Sequence, residues 1–435
     1  MIGAIAGAIL KSGSKPPARS YDDEGNAQGC ETVIQPPVAL FTTAIVAFAI
    51  SAVPAADLSF ATPNGLFRLE PDSGDREALL PEGDRPFNAL AWSRSGERLA
   101  IVQNYGEVYR SEPGADSPKL VFSSDCQRPP TIDLAWQIDG ETLVIKQRCP
   151  APTAGAPAEL KLFLSRPTGE VTTFNTLPDS PESDVFVAPD GNQIAYVTGQ
   201  HIFVAGLDGS RPRRITQTPG IYGAAGSPLA WSPDSTQLAF YEGNYPFQRL
   251  NVVRADGGDR RVLTPETNFQ IYRSVVLWSP DGRYIAYYRP HNPPLSNQEI
   301  IALVNVNTGE TQSLTRPGFY DALSWAPNGQ QLAFASGAQA GRQTLFRLDL
   351  VSQDFTALTN QPLQNILDSQ WSPDGNWIAF TATPPDDPLG TQVLHRVQPD
   401  GTALSPLTAT DEYVYPFAWV PTLLETNTQG SNETP

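Results

Sequence analysis

The sequence predicts an all-β protein, a β-propeller of four-stranded antiparallel blades, with eight blades favoured and seven as the alternative. Three observations predict this fold: a repeated Trp-Ser-Pro-Asp-Gly segment, a spacing of 44 to 51 residues between its copies, and four short apolar runs in each period. Arrays of units with this period and strand content are typical of propellers, in which each unit forms one blade.

The clearest copy of the repeat spans 277–288 and has the sequence Leu-Trp-Ser-Pro-Asp-Gly-Arg-Tyr-Ile-Ala-Tyr-Tyr. Its Pro fixes φ, its Asp bonds its own backbone and its Gly accepts a positive φ, so a tight turn is predicted between the first two strands. The run after the turn is apolar on both faces, as expected of a strand packed between two blades. The repeats start at key positions Trp92, Trp136, Val187, Trp231, Trp278, Trp325, Trp371 and Trp419.

Two further strands are predicted after each tight turn. In the repeat that starts at Trp278 they are 300–304 and 311–315, joined through Asn-Thr-Gly. In the preceding repeat they are 250–253 and 261–264. Trp377 falls outside the repeated pattern, and we expect it to contribute less to the core than the key tryptophans.

The last blade is predicted to be shared between the two ends of the chain. Strands at 58–61, 65–69 and 77–80 lack an inner strand, and the segment 415–419, which ends in Trp419, supplies one. A blade shared in this way closes the ring without leaving a free strand edge.

The near-literal copies of Trp-Ser-Pro-Asp-Gly followed by Ile-Ala-Phe resemble the repeat of the TolB-like propeller superfamily, over residues 57–421. The resemblance implies a propeller that binds a protein or peptide partner. In TolB itself an α/β domain precedes a six-bladed propeller that binds peptides from the envelope-spanning Tol-Pal system. Here residues 1–56 are too few for such a domain and the repeats are too many, so we expect a TolB-like propeller rather than TolB.

The segments outside the propeller are predicted from composition. Residues 1–37 open with a short apolar run and then turn polar, and they are expected to be disordered, as is the tail 422–435. Residues 38–56 contain an uncharged apolar run and then Pro-Ala-Ala, which favours a signal peptide cleaved after Ala55, with a retained membrane anchor or neither as alternatives. A cleaved signal peptide and a retained membrane anchor both place the propeller outside the cytoplasm, where it would be periplasmic, secreted or anchored.

The net charge of −17 and the pI near 4.6 argue against a nucleic-acid partner, whose phosphates require a basic surface. Membrane contact is expected only through residues 38–56, if they are not cleaved. No cofactor is predicted.

Three cysteines are too few for a disulfide scaffold. Cys126 ends one repeat and Cys149 ends the second strand of the next, so a disulfide between them is an interpretation that suits an oxidising compartment. The alternative is two separate thiols.

Catalytic and metal-binding residues are not predicted. Peptidases with related propellers carry a Gly-x-Ser-x-Gly nucleophile on an added domain, and this chain has neither. Oligogalacturonate lyases bind metal through histidines at the propeller mouth, but His201, His291 and His395 fall at different depths in their repeats. The Asp-Gly pairs supply single turn carboxylates rather than the six to eight converging oxygens that calcium requires.

Polar residues just before the inner strands are expected to encircle one mouth of the channel. We predict a negatively charged, tyrosine-rich binding site for a cationic protein or peptide segment there. The alternative is that these residues only serve strand entry and solubility, and the rival function is a carbohydrate-active or small-substrate lyase or hydrolase at the same mouth. The predicted partner-binding residues are Asp133, Asp184, Tyr272, Arg273, Tyr320, Asp321, Asp368 and Tyr415.

Overall fold

The structure is a computed structural model, and it describes residues 57–421 with several gaps. The gaps are 81–85, 114–116, 152–158, 175–184, 199–200, 218–228, 244–246, 266, 269–274, 292–297, 340–341, 362, 385–386, 388–389, 411 and 415. The predictions for residues 1–56 and 422–435 therefore lie outside the described residues. Among the described residues, no helix is long and apolar enough to cross a membrane.

The described strands form eight antiparallel sheets, which confirms the eight-bladed propeller. Blades are numbered from the one that contains Trp92, so that blade 8 is the one shared by the two ends of the chain. Blade 8 takes its first three strands from the start of the propeller: β1 (Leu58–Thr62), β2 (Gly65–Leu69) and β3 (Arg76–Leu80). Blade 1 follows: β4 (Phe87–Trp92), β5 (Leu99–Gln103), β6 (Glu107–Arg110) and β7 (Lys119–Ser123).

Blades 2 to 4 repeat this arrangement. Blade 2 consists of β8 (Thr131–Trp136), β9 (Leu143–Cys149), β10 (Glu159–Ser165) and β11 (Val171–Phe174). Blade 3 consists of β12 (Val185–Val187), β13 (Gln193–Thr198), β14 (His201–Gly206) and β15 (Arg213–Arg214). Blade 4 has a fifth strand that pairs with its third, and consists of β16 (Leu229–Trp231), β17 (Gln237–Glu242), β18 (Phe247–Arg254), β19 (Arg261–Val262) and β20 (Thr267–Asn268).

Blades 5 to 7 complete the ring. Blade 5 consists of β21 (Val276–Trp278), β22 (Tyr284–Pro290), β23 (Glu299–Asn305) and β24 (Thr311–Ser313). Blade 6 consists of β25 (Phe319–Trp325), β26 (Gln331–Gln339), β27 (Arg342–Asp349) and β28 (Phe355–Ala357). Blade 7 consists of β29 (Gln364–Trp371), β30 (Ile378–Thr383), β31 (Val393–Val397) and β32 (Ser405–Pro406), and the last strand is β33 (Phe417–Trp419).

The shared blade closes the ring as predicted. β33 pairs antiparallel with β1, with Trp419 opposite Leu58 and Phe417 opposite Phe60. The backbone N–H of Val420 extends the pairing by donating to the carbonyl oxygen of Asp57 at 2.8 Å. The inner strand of blade 8 therefore comes from the C-terminal end of the propeller.

The core lies between blades rather than within one layer. All six residues of β30, the second strand of blade 7, are buried, because a neighbouring blade covers each face. Between blades 4 and 5, Tyr241 and Leu250 pack with Trp278, Ile285 and Tyr287. This packing explains why the runs after the tight turns are apolar on both faces.

Tryptophan indoles connect neighbouring inner strands. The indole N–H of Trp278 donates to the carbonyl oxygen of Ala230 in the preceding blade at 3.0 Å. In each such link the acceptor residue immediately precedes the key position of its own blade. The others are Trp136 to Ala91 (3.0 Å), Trp231 to Phe186 (3.0 Å), Trp325 to Leu277 (3.1 Å) and Trp419 to Gln370 (3.0 Å).

Two key tryptophans depart from this rule. Trp92 donates instead to the side-chain oxygen of Ser59 at 3.2 Å. The indole nitrogen of Trp371 is buried and has no hydrogen-bond partner within the described part of the chain. At the junction of blades 6 and 7 two hydroxyls provide the contact instead, because Ser324 and Ser369 lie 2.8 Å apart and Ser369 donates to the carbonyl oxygen of Ala322.

The expectation for Trp377 was wrong. This side chain is only 4% exposed, its indole N–H donates to a carboxylate oxygen of Asp72 at 2.9 Å, and Arg396 stacks over its ring. It packs against the hydrophobic face of blade 8. The repeat pattern did not predict this contact because Asp72 belongs to the turn between β2 and β3, at the other end of the chain.

Both ends of the propeller lie at the face that carries the tight turns. The hydrogen bond between Val420 and Asp57 places them side by side. Gly96 is in the tight turn of blade 1 with φ +72°, and a Cβ there would lie 2.4 Å from the carbonyl oxygen of Pro421. Only glycine therefore allows Pro421 to pack against this turn.

We expect Trp278→Phe to lower the free energy of unfolding more than Trp371→Phe, by about 1 to 3 kcal/mol, because only the first change leaves a buried carbonyl without its donor. The two rings are matched in burial, at 9% and 7% exposed. Denaturant unfolding of both variants checks this. Equal losses would contradict the role assigned to the indole link.

Ending the chain after Pro406 should lower the melting temperature and cause aggregation, because β1 would lose β33 and expose a strand edge. Ending it after Pro421 keeps β33 and serves as the control. Thermal unfolding and light scattering measure both properties. A chain truncated after Pro406 that stays monomeric with an unchanged melting temperature would show that β33 is not needed for closure.

Candidate functional site

The two faces of the ring differ in construction. One face, called the tight-turn face, carries the turns between first and second strands. The other, called the loop side, carries the starts of the inner strands, the turns between second and third strands and the links between blades. Loops at such a face vary freely while the sheets hold them in place, which favours the loop side for binding.

The inner strands line a central channel. A cavity in it has a volume of about 1150 Å³ and is lined by the inner strands of blades 1 to 5. The cavity extends from Arg94 and Pro189, in the tight turns, to Asp133 and Lys146 nearer the loop side. Its wall is largely apolar between these ends, with residues such as Ala135, Ala230 and Leu277.

Asp133 lies on β8, three residues before the key Trp136, and lines the cavity. It is 55% exposed, and its carboxylate lies 2.6 Å from the ammonium group of Lys146, which is opposite it on β9. Lys146 also donates to the carbonyl oxygen of Val185 at 3.3 Å. The charge of Asp133 is therefore largely neutralised locally, which weakens its predicted contribution to a negative mouth.

Asp368 occupies the same register position in blade 7, three residues before Trp371. Its side chain is exposed, and one carboxylate oxygen accepts a hydrogen bond from the amide of Gln370 at 3.2 Å. Among the described candidates it is the carboxylate best placed to meet a partner.

Asp321 has a structural contact as well as a position at the rim. Its carboxylate accepts a hydrogen bond from the side-chain amide of Gln343, which is 2% exposed. The carbonyl oxygen of the same amide accepts the backbone N–H of Ile366 at 2.9 Å. Gln343 therefore connects the inner strand of blade 6 to that of blade 7.

Tyr320 is not available to a partner. The side chain is 7% exposed and packs among the core residues between blades 5 and 6, with its ring edge against Phe334. Burial raises the pKa of its hydroxyl, which donates to the carbonyl oxygen of Arg316. The side chain faces the core because Tyr320 lies within β25, which begins earlier than the sequence pattern suggests.

Four predicted site residues, Asp184, Tyr272, Arg273 and Tyr415, lie outside the described residues. Their contribution stays a prediction.

The sequence analysis missed Lys146 and Gln343. Lys146 was within reach of sequence reasoning, since a hairpin that pairs Trp136 with Leu143 also pairs Asp133 with Lys146. Gln343 was not, because its contacts depend on bulges in β25 and β29 that no residue of the repeat signals.

A disulfide joins Cys126 and Cys149, with Cα atoms 5.5 Å apart. The amide N–H groups of Gln147 lie 3.1 Å from each sulfur and from a carboxylate oxygen of Asp125. This hydrogen bond and the nearby Lys161 lower the pKa of Asp125. The bridge fixes the link between blades 1 and 2 to the end of β9, on the loop side.

The histidines do not converge in the described structure. His201 contacts the hydroxyl of Thr216, whereas His395 stacks on Phe380 and has a pKa lowered by burial. The described group of side chains close enough to hold a metal ion is Asp125 with the two cysteines, whose sulfurs are bonded to each other.

Comparison with known protein families finds a match over the second half of the propeller. Residues 242–423 match the model of the TolB beta propeller domain family. A search of curated protein sequences finds no match.

Comparison with solved structures supports the fold. A eukaryotic initiation factor matches with a TM-score of 0.55 at 11% identity, over 85% of this chain and 99% of that one. Dipeptidyl peptidase 4 of Porphyromonas gingivalis matches with a TM-score of 0.56 at 13% identity over 74% of this chain, which spans 53% of the peptidase. The putative TolB of Agrobacterium tumefaciens matches with a TM-score of 0.38 at 17% identity, over 57% and 94% of the two chains. At these identities the first two matches concern the fold alone.

Replacing both Cys126 and Cys149 by Ser should lower the free energy of unfolding by about 3 kcal/mol, because the bridge closes a loop between residues 23 apart. Unfolding with and without a thiol reductant checks this. The reductant should bring the natural protein to the stability of the variant and leave the variant unchanged. A natural protein insensitive to reductant would contradict the stabilising role of the bridge.

Proposed function

We propose, from the premise that this chain is a β-propeller of the TolB-like superfamily, that it is an exported, non-enzymatic protein that binds a protein or peptide partner at the loop-side mouth of its channel. Such binding would support an assembly of the cell envelope. Export rests on the apolar segment 38–56, and the class of partner rests on the family resemblance.

The observation that carries this proposal is the composition of the mouth. Asp133 and Asp368 lie at the same register position of two inner strands, at the loop-side end of a channel whose wall is largely apolar. A surface that combines exposed carboxylates with apolar area suits recognition of a partner with the opposite charge.

The described side chains favour binding over catalysis. Catalytic groups act in close, mutually hydrogen-bonded sets that include a base or nucleophile. The described carboxylates of the mouth instead contact lysine or amide groups: Asp133 pairs with Lys146, Asp321 with Gln343 and Asp368 with Gln370. These contacts fix the carboxylates in place, and Asp368 contributes exposed negative charge to the rim because it contacts a neutral amide.

Replacing Asp133 and Asp368 by Asn should reduce the amount of partner that the full chain captures from a cell-envelope extract, mostly at low salt. Screening lengths fall from about 30 Å at 0.01 M salt to about 10 Å at 0.1 M, so a charged rim acts most strongly in dilute buffer. Quantitative mass spectrometry of the captured proteins measures the change.

The matched control is the double variant Glu170→Gln and Asp354→Asn. It removes the same charge from exposed residues in turns at the tight-turn face. Capture that falls equally in both double variants, or in neither, would contradict binding at the loop-side mouth.

A further inference from the structure

We propose, resting on the function proposed above, that the partner contacts the loop side of blades 7, 8 and 1 through an aliphatic or aromatic side chain that neighbours a lysine or arginine. The receiving surface is the docking sector, defined as Leu367, Asp368, Tyr413 and Tyr105. These residues belong to three consecutive blades of the ring, because blade 8 joins blade 7 to blade 1.

A bulge in β29 exposes Leu367. The pairing of β29 with β30 passes from Gln364 opposite Thr383 directly to Asp368 opposite Thr381, so three residues of β29 face one residue of β30. Ile366, in the middle of the bulge, is completely buried, whereas the Leu367 side chain is 59% exposed. Bulges of this kind re-aim side chains and are frequent beside functional sites.

The bulge is held in a strained form. Asn365 has φ +47°, and Ala322, in the bulge of the neighbouring inner strand, has φ +52°. Residues other than glycine occupy this region at a cost that the surrounding structure must offset. Here Gln343 and Ser369 hold the two bulges through the N–H of Ile366 and the carbonyl oxygen of Ala322. Buried hydrogen bonds therefore stabilise a segment that exposes a leucine to solvent.

Tyr105 shows the same combination of strain and exposure. It lies in the three-residue turn 104–106 between β5 and β6 with φ +58°, after Asn104 with φ +50°. Turns with two positive φ angles favour Asn and Gly, so a tyrosine at the second position is unusual. Its backbone N–H donates to the side-chain oxygen of Asn88 at 2.7 Å, while its side chain remains 48% exposed.

Tyr413 lies between these two residues in the order of blades. It is 50% exposed in the link that leads to β33. The preceding residue, Glu412, fixes this link, since its carboxylate accepts hydrogen bonds from Arg76, Asn64 and the N–H of Ala409. An exposed ring on a fixed backbone loses little entropy on binding, and tyrosine is enriched at protein interfaces for this reason.

The other large, exposed hydrophobic residues of the described structure lie elsewhere. Leu120 and Val262 are on outer strands, while Ile138 and Val351 are in turns of the tight-turn face. Among the described residues, the large exposed apolar side chains of the loop side therefore belong to blades 7, 8 and 1.

Charge selects the class of partner. Asp368 is exposed and adjacent to Leu367, and the whole chain carries −17. A neighbouring lysine or arginine on the partner gains from this field, whereas a second copy of the chain would be repelled. A protein segment that carries both a hydrophobic side chain and a cation is thus the occupant that fits.

The test selects random-sequence peptides on the immobilised full chain. We expect enriched peptides to carry an aromatic or aliphatic residue next to Lys or Arg. A synthetic peptide from the selection should bind at least about tenfold more weakly to Leu367→Ala and to Tyr413→Ala, as measured by calorimetry. Val351→Ala is the matched control, because this side chain is 78% exposed on the opposite face and its loss should leave binding unchanged.

The outcomes separate this inference from the proposed function. Peptides that bind and respond to Asp133→Asn, but not to Leu367→Ala or Tyr413→Ala, would overturn the docking sector and leave binding at the mouth standing. Enriched peptides without a cation would overturn the charge selection. Self-association that Leu367→Ala abolishes would identify a second copy as the occupant and overturn the proposal. Failure to enrich any peptide, together with no capture from envelope extract, would overturn both.

Discussion

The fold depends on the hydrogen bond from the indole of a key tryptophan to the inner strand of the preceding blade. Much of the contact between neighbouring blades is apolar packing, which has no direction and tolerates sliding. A donor that must reach one particular carbonyl, as Trp278 reaches Ala230, fixes the height of its inner strand relative to the preceding one. Where such links join consecutive blades, equivalent residues lie at equivalent depths in the channel.

The junction of blades 6 and 7 is where this constraint is relaxed. Trp371 is buried like the other key tryptophans, yet its indole nitrogen is unpaired in the described structure, and Ser324 and Ser369 make the contact. At this junction, which lacks the indole link, both inner strands are longer than those of the other blades and carry bulges. The regular junctions thus build a rigid ring, and the irregular one provides the part of its rim that differs most from the repeat.

The repeat carried most of the information about the fold, and much less about the site. The eight key positions predicted the number of blades, the tight turns and the shared closing blade, because each depends on local turn chemistry and period. Tyr320 and Trp377 were misplaced because their burial depends on where a strand begins and on a turn far away in the chain. The bulge at Leu367 has no local sequence signal. Gln343, on a strand of blade 6, accepts the backbone N–H of Ile366, and Ser369 donates to the carbonyl oxygen of Ala322 in the same blade. Site geometry that arises from such long-range contacts was beyond a reading of the repeat.

The position of the two ends of the propeller, Asp57 and Val420, gives the ring two distinct faces. Asp57 and Val420 are hydrogen-bonded to each other beside the tight turn of blade 1. A segment that leaves the propeller at either end therefore starts at the tight-turn face, opposite the loop side. The two ends would also leave from a single point, so a load applied through both would pull on the seam of blade 8 rather than across the channel. The loop side is thereby the face farther from both attachment points.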